Sequence, residues 1–327
     1  MRATLAFRVL GSADGRRDLV SYRKALARYA DADPVVHPEI PAFLSTFTFP
    51  VALRRHVEAT GSTRNYVGPV GVPALRFDVD RDGDPDAALR DVRRLAGHLS
   101  ERYGDEGLSV FFSGSKGYHF EADTGSAIEP TYEAHQVARH VAETVAGSIG
   151  VSIDSGVYDR VRLWRAPNSK HPRTGLYKIR IELDDLLHAS VDWVRRRAVE
   201  PIPFDPRTFS SPPPQLLDDW SRAERAVKEH AEERRERHQE VGNGEARINA
   251  LTRLLITRPE EIEVGDRHRL LYSAAANLAE FHSVEDLIIE LLTEPGRDTG
   301  LPPREVARQI ACGIDRAHRQ RGEGGAP

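Results

Sequence analysis

Apolar and polar positions recur along this 327-residue chain at two different periods, and the period changes with position. Residues 4–9, TLAFRV, alternate in part and predict a strand, whereas 17–30 carry helical spacing. Residues 74–79, ALRFDV, are mostly apolar and predict a strand. A helix is expected from about 85, where Leu89, Val92, Leu95, Ala96 and Leu99 recur at helical spacing. Asp84 is placed to cap it, and Pro85 stands where proline is best tolerated, at the first helical position. LSVFF (108–112) and YHFEA (118–122) read as two strands joined by a tight glycine-containing turn. Residues 133–146 read as a helix with Val137, Val141 and Val145 four apart, and LYKIRIEL (176–183) as an alternating strand.

After about 200 the strand signals stop. ProIlePro (201–203) and SSPPP (210–214) read as loop or linker, and 216–240 as a charged, solvated helix joining two domains. From about 244 only helical spacing remains. In the last helix Val306, Ile310 and Ile314 form one stripe with Ala307 and Ala311 beside it, and Pro302 and Pro303 mark its start. The expected domains are 1–205, a linker with charged helix at 206–243, and a helical domain at 244–320.

Composition narrows the classes. With 39% apolar and 29% charged residues the chain supports a core and a polar surface, and no apolar run is long enough to span a membrane. The opening MRATLAFRVLG makes a poor signal peptide, so a cytoplasmic protein is expected. Lys plus Arg is 46 against 50 Asp plus Glu, a net charge of −4, so any nucleic-acid contact must come from a local basic patch. Cys312 is the only cysteine, which excludes an intrachain disulfide and a cysteine-based zinc site; its apolar helical setting predicts a buried structural role.

Three segments carry candidate chemistry. Asp78 and Asp80, two apart at the end of an apolar strand, share a face, and their mutual repulsion calls for a cation. DVDRDG also fits the first six positions of a calcium loop through Asp78, Asp80, Asp82 and Gly83, but Leu89 stands where that loop needs glutamate. The turn FFSGSKGYHF (111–120) offers Ser113, Ser115, Lys116 and His119 around Gly114 and Gly117, a candidate triphosphate cradle or an ordinary polar hairpin tip. Asp154, with Asp159 as competitor, precedes a basic stretch of Arg160, Arg162, Arg165, Lys170, His171 and Arg173 interleaved with Trp164 and Tyr177.

In this order, FDVD, FSGSKGYHF, SID and RAPNSKHPRTG resemble the archaeo-eukaryotic primase superfamily, over roughly residues 70–180. The resemblance implies an α+β fold: a primase-polymerase catalytic domain with an RRM-like core, followed by a small all-α domain. It implies that Asp78, Asp80 and Asp154 hold two Mg²⁺ or Mn²⁺ ions, and that Ser113, Lys116, His119, Arg165 and His171 contact the phosphates of an NTP or dNTP. It further implies primer synthesis or extension on single-stranded DNA, with any helicase a separate partner. The lack of zinc cysteines points to the plasmid or viral branch. GDRHRLLYSAAANLAEF and LPPREVARQIACGIDRA resemble, more loosely, the helical domain after such catalytic domains, with Arg267, His268 and Arg269 as phosphate candidates. A gap-filling polymerase and a non-catalytic origin-binding protein are the competing expectations.

Overall fold

The computed structural model describes residues 4–81, 83–124, 128–206, 208–209, 211–242, 248–280 and 284–323. Asp82 of the calcium-loop pattern and Ser210 of the SSPPP run lie outside the described residues, as does the tail from 324. The fold is mixed α+β, with two four-stranded antiparallel sheets and eleven α-helices among the described residues.

Strand β4 (Ala74–Val79) shows how alternation builds the central sheet. Leu75, Phe77 and Val79 are fully buried on one face, which leaves Arg76 and Asp78 on the other. β4 pairs with β6 (Tyr118–Asp123), which pairs with β5 (Leu108–Phe112), which pairs with β8 (Arg180–Ile181). The register sets Arg76 opposite Glu121 and Asp78 opposite His119, so a polar row crosses one face of the sheet. The apolar face shares a core with α3 (Pro85–Tyr103), through Leu89, Val92, Leu95 and Leu99, and with α4 (Ala134–Ser148), through Val137, Val141 and Val145. Asp84 caps α3 by accepting the Ala87 N–H at 2.8 Å, with Pro85 at the first turn.

The second sheet runs β2 (Asp18–Ser21), β1 (Leu5–Leu10), β3 (Ala42–Ser45), β7 (Leu163–Arg165). Two expectations change here. Residues 18–21 are strand, because they pair with β1 from Leu5 to Arg8; helix α1 (Tyr22–Ala30) begins only at Tyr22. Of LYKIRIEL only Arg180 and Ile181 enter a ladder. Tyr177 and Lys178 instead donate their N–H groups to the carbonyls of Ala198 and Ser169, at 2.8 and 3.0 Å.

Helices α2 (Ala52–Thr60), α5 (Leu183–His188) and α6 (Val191–Arg197) complete the strand-bearing region. The chain divides into compact units Met1–His230 and Ala231–Pro327, with the division inside α7 (Pro214–Gly242). The first half of α7 is therefore not a solvated connector: Leu216, Trp220, Ala223 and Val227 are buried in the core of the first unit. Beside that stripe, Asp219 accepts from Arg102 Nε and Nη2 at 2.7 and 2.6 Å and from the Tyr103 hydroxyl at 2.7 Å. Burial disfavours the Asp219 charge, but these donors outweigh it and hold its pKa below the usual value. Asp219→Ala is expected to cost roughly 3 kcal/mol in urea unfolding, because it strands Arg102 and Tyr103; a loss under about 1 kcal/mol would deny the lock that role.

The second unit holds α8 (Ala250–Thr257), α9 (Arg267–Ala279), α10 (Glu285–Asp298) and α11 (Pro303–Glu323). Val306, Ile310 and Ile314 are buried, as their spacing requires. Ala307 and Ala311 are exposed, and Gly313 and Ala317 lie buried instead. A Cβ on Gly313 would stand 2.4 Å from the Tyr272 carbonyl, so glycine permits the close approach of α11 to α9. Cys312 is exposed and not buried, because two positions beyond Ile310 carry it to the far side of the helix.

Candidate active site

β4 delivers Asp78 onto the polar face of its sheet and Asp80 just past the strand end, with side chains 26% and 37% exposed. Asp154 arrives from the other side: its N–H donates to the Asp78 carbonyl at 3.0 Å, and its carboxylate accepts the Gly156 N–H at 2.8 Å. Its rival Asp159 sits at the far end of the short turn Ser155–Tyr158, and both carboxylates are exposed. Of the two, Asp154 is the one brought to Asp78. Burial raises the Asp78 pKa to about 6, and the charges of Asp154 and Asp80 push it in the same direction. Lys116 Nζ lies 3.0 Å from Asp80 and Arg162 Nη2 4.0 Å from Asp154. Asp78 faces the His119 ring, with Nε2 at 3.8 Å. His119 is held neutral: burial lowers its pKa well below the usual value, and Lys178, Arg165 and Arg76 add to the effect.

The turn between β5 and β6 is closed by the Ser113 N–H on the Gly117 carbonyl at 3.0 Å. Both glycines are required by close approach. A Cβ on Gly117 would lie 2.7 Å from the Val79 carbonyl and 3.2 Å from Asp80 Cβ. Gly114 has φ +89°, and its Cβ would lie 3.0 Å from His171 Cβ. Gly114→Ala is expected to cost about 1–2 kcal/mol of backbone strain. Because it also pushes His171, it should weaken anion binding in the cleft severalfold, measured by phosphate or triphosphate titration of the folded variant. Unchanged affinity would mean that His171 does not face the ligand.

The RAPNSKHPRTG loop is fixed, and its residues divide by task. Asn168, fully buried at φ +54°, donates to the carbonyls of Tyr29, Ala30 and Ile202 at 3.0–3.1 Å. The Ser169 hydroxyl donates to the Ala166 carbonyl at 2.8 Å, and the Thr174 hydroxyl donates to the Gly114 carbonyl. Arg165 and His171 remain for the cleft. Nδ1 of His171 accepts from the N–H groups of Arg173 and Thr174 at 3.3 and 3.4 Å, so the neutral ring carries its proton on Nε2. Burial lowers its pKa to about 4, with Arg165 and Arg173 contributing. Arg165 lies 4.9 Å over the Phe43 ring, and its Nη1 is buried with no hydrogen-bond partner. Burial lowers its pKa to about 10 against the pull of Asp78, so it stays charged at neutral pH.

Asp78, Asp80, Lys116, His119, Arg162, Arg165 and His171 line one cleft of about 300 Å³, together with Ser113, Ser115, Phe43, Leu163, Trp164 and Arg173, whereas Asp154 stands outside that lining. Four cations (Lys116, Arg162, Arg165, Arg173) face two lining carboxylates (Asp78, Asp80), so the cleft is basic in a chain of net charge −4. As they stand, no three His, Cys, Asp or Glu side chains among the described residues form a metal-binding group. The fit to a cation rests instead on the carboxylate crowding around Asp78.

Other basic residues named from sequence take structural partners. Arg160 donates to the Gly68 and Tyr132 carbonyls at 3.0 and 2.8 Å, and Lys170 Nζ lies 5.4 Å from the Tyr177 ring. In the second unit, Arg269 pairs with Asp266 at 3.0 Å and His268 with Glu305 at 3.6 Å, while Arg267 packs against Gly300. Sequence reading missed Phe43, the buried charges Arg76 and Lys178, and the partly buried Glu121. Arg76 and Glu121 were discoverable as polar residues at matching positions of apolar strands.

No protein-family model matches the chain, and neither does any curated protein sequence. The crystal structure of primase RepB′ aligns with all of this chain and 96% of its own, at 12% identity and a TM-score of 0.36. That score is too low to establish a shared fold. No helix among the described residues is long and apolar enough to cross a membrane.

Proposed function

We propose that the cleft binds a nucleoside triphosphate and, directed by a single-stranded DNA template, transfers its nucleotidyl group to the 3′-hydroxyl of a primer or of an initiating nucleotide, as a primase or primer-extending polymerase. One observation carries the reading: a crowded carboxylate group at Asp78, Asp80 and Asp154 adjoins four cations, one of them Arg165 with a buried nitrogen lacking a partner. The order of the same residues in FDVD, FSGSKGYHF, SID and RAPNSKHPRTG supports it through the resemblance to the archaeo-eukaryotic primase superfamily.

In the proposed reaction a 3′-hydroxyl oxygen attacks the α-phosphorus. A new P–O bond forms, the bond to the β-phosphate oxygen breaks, pyrophosphate leaves, and the hydroxyl proton passes to solvent. Asp78, Asp80 and Asp154 would hold Mg²⁺ or Mn²⁺, which supplies Lewis-acid stabilisation and lowers the pKa of the hydroxyl. Lys116, whose Nζ lies 3.0 Å from Asp80 on the cleft lining, would pair with phosphate. Arg165, Arg173 and the Nε2–H of His171 would offset charge on the leaving group. Ser113 and His119 add short-range donors at the turn.

The test is synthesis of labelled product from NTPs or dNTPs on single-stranded DNA with Mg²⁺ or Mn²⁺, with and without a primer. Product without primer supports a primase, and product only with primer supports a gap-filling polymerase. Template binding with no product in either case would overturn both and leave the non-catalytic origin-binding reading.

A further inference from the structure

Behind the cleft lies a buried charge network that the proposed reaction does not use. Lys178 is fully buried. Its Nζ donates to Glu121 Oε1 and to the Arg165 carbonyl, both at 3.0 Å. Glu121 Oε1 also accepts the Trp164 indole N–H at 2.6 Å, and Arg76 Nε stands 3.9 Å from Glu121 Oε2. The ammonium lies 4.5 Å from the Phe111 ring centroid and 5.0 Å from that of Trp164. One cation thus ties β6 of the central sheet to β7 of the other.

Both chains of contact end at groups that line the cleft. Through its carbonyl, Arg165 is fixed at the root of the guanidinium whose Nη1 has no partner. Through Glu121, Trp164 is fixed, and its ring stacks on His119 with centroids 3.9 Å apart. Lys178 itself does not line the cleft. Buried ion networks are a poor source of net stability, since apolar residues of similar volume serve as well or better. A role in orientation explains this one more directly than a role in stability. Burial also lowers the Lys178 pKa to about 8 while Glu121 opposes the shift, as expected of a cation kept for its partners.

We infer that Lys178 is a positioning residue for the triphosphate end of the cleft, acting through Glu121, Trp164 and the Arg165 main chain. The inference rests on the reading that the cleft takes a nucleoside triphosphate. The Lys178 backbone is held independently, its N–H on Ser169 and its carbonyl accepting from Asn168 at 2.7 Å, so a side-chain change tests the ammonium alone.

The experiment uses the full chain as Lys178→Met and as Lys178→Met with Glu121→Gln, the second removing both charges so that no carboxylate is left buried alone. ATP and dATP affinities with Mn²⁺ are measured by calorimetry, Mn²⁺ affinity without nucleotide by electron paramagnetic resonance, and melting by circular dichroism. The double variant is expected to bind ATP or dATP roughly ten- to hundredfold more weakly, the worth of a hydrogen bond to a charged group, with Mn²⁺ affinity unchanged. A lowered melting point with undiminished nucleotide affinity would show a structural role and overturn the inference. If Lys178→Met alone fails to fold, the double variant decides. Wild-type protein that binds neither ATP nor dATP would sink the nucleotide reading and this inference together; wild-type binding with an undiminished double variant would overturn this inference alone.

Discussion

Asp78→Asn is expected to lower nucleotidyl transfer by at least about a thousandfold, several kcal/mol of transition-state stabilisation, and at the same time to raise the melting temperature of the cation-free protein. The two effects have one cause. Asp78 is pressed by burial and by the charges of Asp154 and Asp80, so its pKa rises to about 6 in the folded chain. The folded state therefore holds this proton more tightly than the unfolded chain does. Stability associated with the proton is complete below about pH 4 and gone once pH rises past about 6. A pKa raised by that much corresponds to on the order of 3 kcal/mol above that window. Wild type and Asp78→Asn should thus melt together near pH 4 and diverge by several degrees above about pH 7. Added Mn²⁺ should raise the wild-type melting point and leave the variant's nearly unchanged. An asparagine variant that melts below wild type at neutral pH in chelator would show that Asp78 is not a crowded carboxylate, and the metal assignment would lose its physical basis.

Much of this site was legible because its strands obey strict periods. ALRFDV commits Leu75, Phe77 and Val79 to the core, and strand alternation alone then puts Asp78 on the open face. Gly114 and Gly117 read in the sequence as room for an anion or as a plain hairpin tip, whereas the atoms that approach them belong to His171 and the end of β4. Lys178 was hidden for the opposite reason. In the alternating LYKIRIEL a lysine reads as a solvated strand position, yet the segment bonds to a loop and its ammonium is enclosed by two aromatic rings and Glu121. Phe43 lies far from every motif in sequence and reaches the cleft only because Arg165 pairs opposite it across β3 and β7. The first half of α7 was masked by composition. Its charges are the exposed face of an amphipathic helix whose buried stripe, Leu216, Trp220, Ala223 and Val227, is spaced by three or four residues among them.

Arg165→Ala is expected to reduce kcat/KM for the triphosphate roughly a hundred- to a thousandfold, the cost of removing one preorganised donor from an enclosed site, with little change in folding stability. The asymmetry follows from where its bonds lie. Nη1 is buried without a partner, so the folded protein already bears the cost of desolvating it, on the order of 1–3 kcal/mol, and an arriving phosphate oxygen recovers that cost. Burial lowers the pKa of Arg165 only to about 10, so the charge is present throughout the neutral range. Truncation removes the charge and the unsatisfied donor together, which is why binding should suffer and the fold should not. Lysine is expected not to rescue the variant. The guanidinium lies 4.9 Å over Phe43, and a planar fork stacked on an aromatic ring presents donors in a direction that a point ammonium does not reproduce. Steady-state kinetics of Arg165→Ala and Arg165→Lys beside their melting curves check this. A variant with wild-type KM and kcat would place the triphosphate elsewhere, whereas one that loses activity only in proportion to a fall in stability would make Arg165 a core residue and not a ligand contact.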